Sequence, residues 1–83
     1  MNDITKPLAA LGEKWRAPIV ARTEIREFSG GALSEKYMAN LDSSGMGPAG
    51  RFRCGRKICY PVDSLIQWMA DRSRTVGGRA DAG

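Results

Sequence analysis

The sequence predicts a small α+β domain: two short helices joined by a glycine turn, then a basic β-hairpin, then a closing helix. Three observations carry that expectation. Ser34 opens a polar-faced stretch, ALSEKYMANLDSSG, which Gly45 closes and which Gly30-Gly31 separates from an apolar pair at Ile25 and Phe28. The segment GRFRCGRKICYP then places apolar and charged residues around Gly55 in the manner of a hairpin. Finally, PVDSLIQWM sets Leu65, Trp68 and Met69 at helical spacing.

Size and charge bound the function. A chain of 83 residues makes one domain, and at this size folding buries only about 60% of the unfolded surface, which argues against a deep catalytic pocket. There is no apolar run of about 20 residues to cross a membrane. The N-terminus lacks the basic-then-apolar pattern of a secretion signal, because Asp3 and Glu13 interrupt it. The expected location is the cytoplasm. Net charge is +4, and Arg51, Arg53, Arg56 and Lys57, with no acid between Gly45 and Tyr60, account for an excess of that size. Such a local cluster is an electrostatic footprint for a polyanion; its plainer reading is a solvated hairpin tip.

In chain order, residues 1–18 form an N-terminal arm. Pro7 and Pro18 punctuate it, and Leu8, Leu11 and Trp15 allow one or two helical turns. Trp15 is expected to cover an edge of the core or to anchor a neighbouring subunit. Residues 19–73 are the folded domain. Ile19 to Arg22 suit a brief strand, and Thr23 supplies an N-cap for a helix ending near Ser29, with Glu24 favourable in its first turn. Gly30-Gly31 stops that helix. Ser34 caps the next, from Glu35 to Ser44, whose Met38 and Leu41 face the core while Lys36, Asn40 and Ser43 face outward. Two short helices about a glycine turn are the helix-turn-helix pattern. With a hairpin loop at Gly55-Arg56-Lys57, Phe52 and Cys54 share an inward face with Ile58 and Tyr60, and Arg51 and Arg53 project beside Cys59. Pro61 opens the last helix, with Asp63 and Arg72 at the ends the dipole favours. Residues 74–83 are too poor in apolar side chains to fold alone and read as a flexible tail.

The chemistry of catalysis is missing. There is no histidine, and Cys54 and Cys59 supply only two of the four ligands that a structural zinc needs. Placed on opposite faces of the hairpin, they do not form an internal disulfide, and Cys54 reads as a small core residue. The segment GMGPAGR lacks the lysine and hydroxyl of a phosphate-binding loop. No enzyme activity, cofactor or metal is expected.

The outward helix face suits groove readout. Lys36 reaches guanine or a phosphate, and Asn40 pairs bidentately with adenine. Glu35 either accepts from cytosine N4 or complements the helix dipole. Tyr37 either contacts a phosphate or thymine methyl or closes the core edge; Ser34 caps, with an optional phosphate contact. Arg51, Arg53, Arg56 and Lys57 suit backbone and minor-groove contacts, and four phosphate contacts give a salt slope of roughly −3.6.

The order of these elements, with Ser34 opening the second helix, Gly45 closing it, Gly55 in the hairpin and Asp63-x-Leu65-x-x-Trp68-Met69 in the last helix, resembles the small winged helix-turn-helix domains of the excisionase family, within the MerR-like superfamily. The resemblance covers about Ile19 to Arg72. Relatives often carry arginine-rich recognition helices, whereas this one carries Glu35, Lys36 and Tyr37, which bears on sequence preference rather than on docking. The resemblance implies a nucleoid-associated recombination directionality factor of a mobile element. It would bind repeated sites in double-stranded DNA beside an attachment site, bend the DNA and bias a tyrosine integrase toward excision. Bending by 40–90° costs about 1–6 kcal/mol, which copies associating head to tail would supply. A phage-type transcriptional regulator using the same contacts, and a protein-interaction module gripping an acidic partner with the hairpin, are the alternatives.

Overall fold

In a computed structural model, which describes residues 4–74, the elements run α1 (Thr5–Lys14), β1 (Ile19–Ala21), a 3-10 turn (Arg22–Glu24), α2 (Ile25–Phe28), α3 (Glu35–Ser43), β2 (Phe52–Cys54), β3 (Lys57–Pro61) and α4 (Val62–Arg72). The result is a small α+β fold with four helices and one three-stranded antiparallel sheet in the order β1-β3-β2. The predicted flexible tail lies, from residue 75 onward, outside the described residues.

The N-terminal arm is more regular than one or two turns. Pro7 does not prevent α1, because it stands in the first turn, where backbone N–H groups have no intrahelical acceptor. Leu8, Leu11 and Trp15 pack against the core, as their spacing predicts. Gly12 lets α1 lie close on α4: a Cβ there would meet Val62 Cγ1 at 3.1 Å. Trp15 packs edge-on to Phe28, with ring centroids 5.3 Å apart, and donates from Nε1 to Ile19 O at 2.9 Å.

Thr23 is not a cap. The segment it was expected to open begins as a 3-10 turn with no side-chain cap bond, and the α-helical part shrinks to Ile25–Phe28. Ile25 and Phe28 are nevertheless buried. Gly30 and Gly31, with φ of 66° and 92°, end it where a side chain would be strained. Ser34 then caps α3, its Oγ accepting from Tyr37 N–H at 3.1 Å. Met38 is fully buried and Leu41 half-buried.

The hairpin register departs from the expected one. Its loop is the two residues Gly55-Arg56, with Cys54 paired to Lys57, Arg53 to Ile58 and Phe52 to Cys59. Gly55 takes φ 64° at the first loop position, as a tight two-residue turn requires. Shortening the loop by one residue reverses the parity of the pairing. Arg53 therefore shares a face with Ile58 and Tyr60, while Phe52 and Cys54 lie on the other with Cys59. Phe52 is 41% exposed, and Cys54 is exposed rather than a core residue. Cys59, on the central strand, is the buried cysteine, seated between its cross-strand partners Ala21 and Phe52. The two thiols share a face but sit diagonally, one pair apart, a separation of about 7–8 Å that exceeds disulfide reach.

The largest fully buried side chain is Tyr60, on β3 opposite Val20. Its hydroxyl donates to Asp42 Oδ2 at 2.6 Å. Arg22 donates to the same oxygen from Nη2 at 2.6 Å and to the Tyr60 hydroxyl from Nε at 3.1 Å. Asp42 belongs to α3, Arg22 to the turn after β1 and Tyr60 to the central strand, so one carboxylate joins three elements. Gly47 packs directly over it: a Cβ at that position would overlap Asp42 Oδ1.

The Gly47→Ala variant is therefore expected to lose about 1–3 kcal/mol of stability through overpacking. In urea unfolding its midpoint should fall with the slope unchanged; a midpoint equal to that of the wild type would show that the loop does not press on Asp42.

Candidate nucleic-acid interface

Helical geometry fixes what α3 offers to solvent. At about 100° per residue, Lys36, Asn40 and Ser43 fall together opposite Met38, and all three are exposed. Glu35 is exposed in the first turn, where the dipole favours an acid. Ser34 is the cap already described. Tyr37 is 42% exposed on the flank of α3, and its hydroxyl accepts from Arg72 Nη2 at 3.3 Å. The outward face thus brings together hydrogen-bonding groups with no bulky aliphatic among them.

The hairpin residues divide. Arg53, Arg56 and Lys57 are exposed, with Arg56 in the loop and Arg53 and Lys57 on opposite faces. Arg51 does not project beside Cys59. It turns back to α3, donating from Nη1 to Pro48 O at 3.1 Å and from Nη2 to Asp42 O at 3.4 Å. Its Nε lies 3.5 Å from Asp42 Oδ1, an oxygen that is buried and accepts no hydrogen bond among the described residues. Arg51 therefore ties the root of the hairpin to the last turn of α3.

Asp42, the residue on which this arrangement turns, was not among the candidates from sequence. The signal was there: about 40° round the helix from Met38, it falls on the inward face, and an acid there needs a partner. Its side chain is only 8% exposed, against 22% for Arg22. Burial pushes the Tyr60 hydroxyl up to about 12, with the adjacent carboxylate adding and the Arg22 cation opposing. Burial acts to lower the Arg22 pKa, but its hydrogen bonds to Tyr60 and Asp42 outweigh that and raise it.

Arg72 does more than complement the dipole of α4, in whose last turn it stands. Its guanidinium lies over the Trp68 ring, 4.7 Å from the centroid, beside Tyr37. Trp68 is itself held by donation from Nε1 to Met46 O at 2.9 Å. Among the described residues no three His, Cys, Asp or Glu side chains gather as a metal site, and no helix is long and apolar enough to cross a membrane. Comparison with family models, curated proteins and solved structures finds no match to the chain.

The raised phenol predicts a specific pH dependence. Unfolded, Tyr60 ionises near pH 10.0; folded, it holds its proton to about pH 12. Its contribution is complete below pH 10 and is lost as pH rises toward 12. Denaturant titrations over that range should show stability falling more steeply for the wild type than for Tyr60→Phe. Parallel curves would mean that the hydroxyl is not desolvated in the fold.

Proposed function

We propose that this chain binds double-stranded DNA as a winged helix-turn-helix protein, with α3 in the major groove and the β2–β3 hairpin as the wing. The observation that carries this reading is the exposed row of Lys36, Asn40 and Ser43 on a helix whose last turn is tied, through Asp42 and Arg51, to the root of a hairpin bearing Arg53, Arg56 and Lys57. A helix of nine residues spans about 14 Å, in keeping with a groove about 12 Å wide. Asn40 reads adenine and Lys36 reads guanine or a phosphate, while Glu35 and Tyr37 border the contact and Ser34 fixes the helix start. Arg53, Arg56 and Lys57 bind backbone phosphates. Arg51 orients the wing.

Within that mode, the resemblance over Ile19 to Arg72 favours an excisionase: an architectural factor that acts at the nucleoid and performs no bond chemistry. Three wing phosphate contacts give a salt slope of only about −2.7, which makes one copy a weak binder. Several copies associating head to tail on repeated sites would bend the DNA and direct a tyrosine integrase toward excision. The exposed Phe52 on the wing favours a second reading, in which the hairpin grips an acidic protein partner.

Two sets of variants test the DNA reading. Changing Arg53, Arg56 and Lys57 together to alanine should flatten the salt slope by about 2.7 for any duplex. Asn40→Ala should reduce discrimination between a duplex selected from a random pool and a scrambled one by about 1–3 kcal/mol. Unchanged slopes in gel-shift titrations would exclude the wing assignment. Absence of wild-type binding to duplex DNA, with capture of an acidic polypeptide instead, would favour the protein partner.

A further inference from the structure

We infer that Arg72, held by Trp68 and Tyr37 beside α3, is a backbone-phosphate contact for duplex DNA. The inference rests on the reading of α3 as a groove-bound helix. Four arginines of the described chain have their guanidinium groups held in place, and they differ in what holds them. Arg16 stacks on Trp15 at 4.3 Å but is paired with Glu24 and Glu27. Arg22 and Arg51 both lie on Asp42. Arg72 alone of the four is held by neutral groups: the Trp68 ring at 4.7 Å and the Tyr37 hydroxyl at 3.3 Å, with no carboxylate within 4.0 Å among the described residues.

A cation that is positioned but not neutralised suits phosphate binding. Its charge remains available to an outside anion, and much of its rotamer freedom is already lost before binding. The planar guanidinium presents forked donors to a phosphate. The ring beneath it is fixed in turn by the Trp68 bond to Met46 O. Glu35 does not oppose it, since it stands about 160° round α3 from Tyr37.

The position also complements the wing. Arg51 meets α3 at Asp42, in its last turn, whereas Arg72 meets it at Tyr37, in its first. Phosphate contacts by Arg72 near the first turn and by Arg53, Arg56 and Lys57 on the hairpin that Arg51 ties to the last turn would fix the lie of the helix along the groove without reading sequence.

The test compares full-length Arg72→Gln, Arg72→Lys and Arg16→Gln proteins with the wild type on a short random-sequence duplex, over a salt series. Thermal melting confirms that each variant is folded. Arg72→Gln should reduce the salt slope by about 0.9, so that the wild-type advantage shrinks about threefold between 50 and 200 mM salt. Arg72→Lys should keep the slope. Arg16→Gln, with the same change in net charge, should leave it unaltered. If Arg72→Gln matches the wild-type slope, or if Arg16→Gln lowers it equally, the contact is refuted while the groove reading of α3 stands. If the wild type binds no duplex at low salt, that reading falls and the contact falls with it.

Discussion

The Asp42 carboxylate is the constraint on which the placement of α3 depends. One oxygen accepts from both Arg22 and Tyr60 at 2.6 Å, and the other faces Arg51. Without these bonds α3 would be held to the sheet by little more than Met38 and its neighbours. Apolar contacts tolerate sliding and rotation, whereas a carboxylate shared by donors on three other segments admits one position. Partly buried ion pairs add little net stability, because desolvation offsets attraction, but removing one partner strands the other. In this protein we assign the Asp42 network to geometry: it sets where α3 lies relative to the root of the β2–β3 hairpin.

That geometry bears on the proposed function through rigidity. A recognition helix and a wing that moved independently would each pay ordering entropy on meeting DNA. Here Arg51 links the two before any ligand arrives. Among the described residues, the hairpin cations Arg53, Arg56 and Lys57 have no such tie. They are exposed and suited to phosphates whose positions vary with local DNA shape. The chain thus separates a fixed part, which would choose the register on DNA, from an adaptable part, which would supply attraction. Few charges means weak binding by one copy, and this is where the proposal of several copies on repeated sites enters.

Local signals were legible in the sequence; long-range ones were not. The Ser34 cap, the positive-φ glycines and the outward row on α3 depend on neighbours within a few residues, and the structure has each of them. The hairpin register did not follow from alternation alone. Parity was read correctly along each strand, but the relation between strands depends on whether the loop holds two residues or three, and Gly55 permits both. That single residue moved Phe52 and Cys54 to the outer face and exposed them, while Cys59 on the same face is buried by its place on the central strand, between Ala21 and Phe52. Thr23 looked like a cap because it precedes an acidic turn, yet burial of Ile25 was met by a 3-10 turn instead. Asp42 lay on an inward helical position, but its partners stand 20 and 18 residues away in sequence, and nothing local announces them.

Backbone amide shifts during titration with a short duplex test the central claim most directly. Resonances of Lys36 and Asn40 on α3 should move together with those of Arg53, Arg56 and Lys57, in one common binding curve. Movement confined to the α1–α4 side of the molecule, with α3 and the hairpin silent, would contradict it.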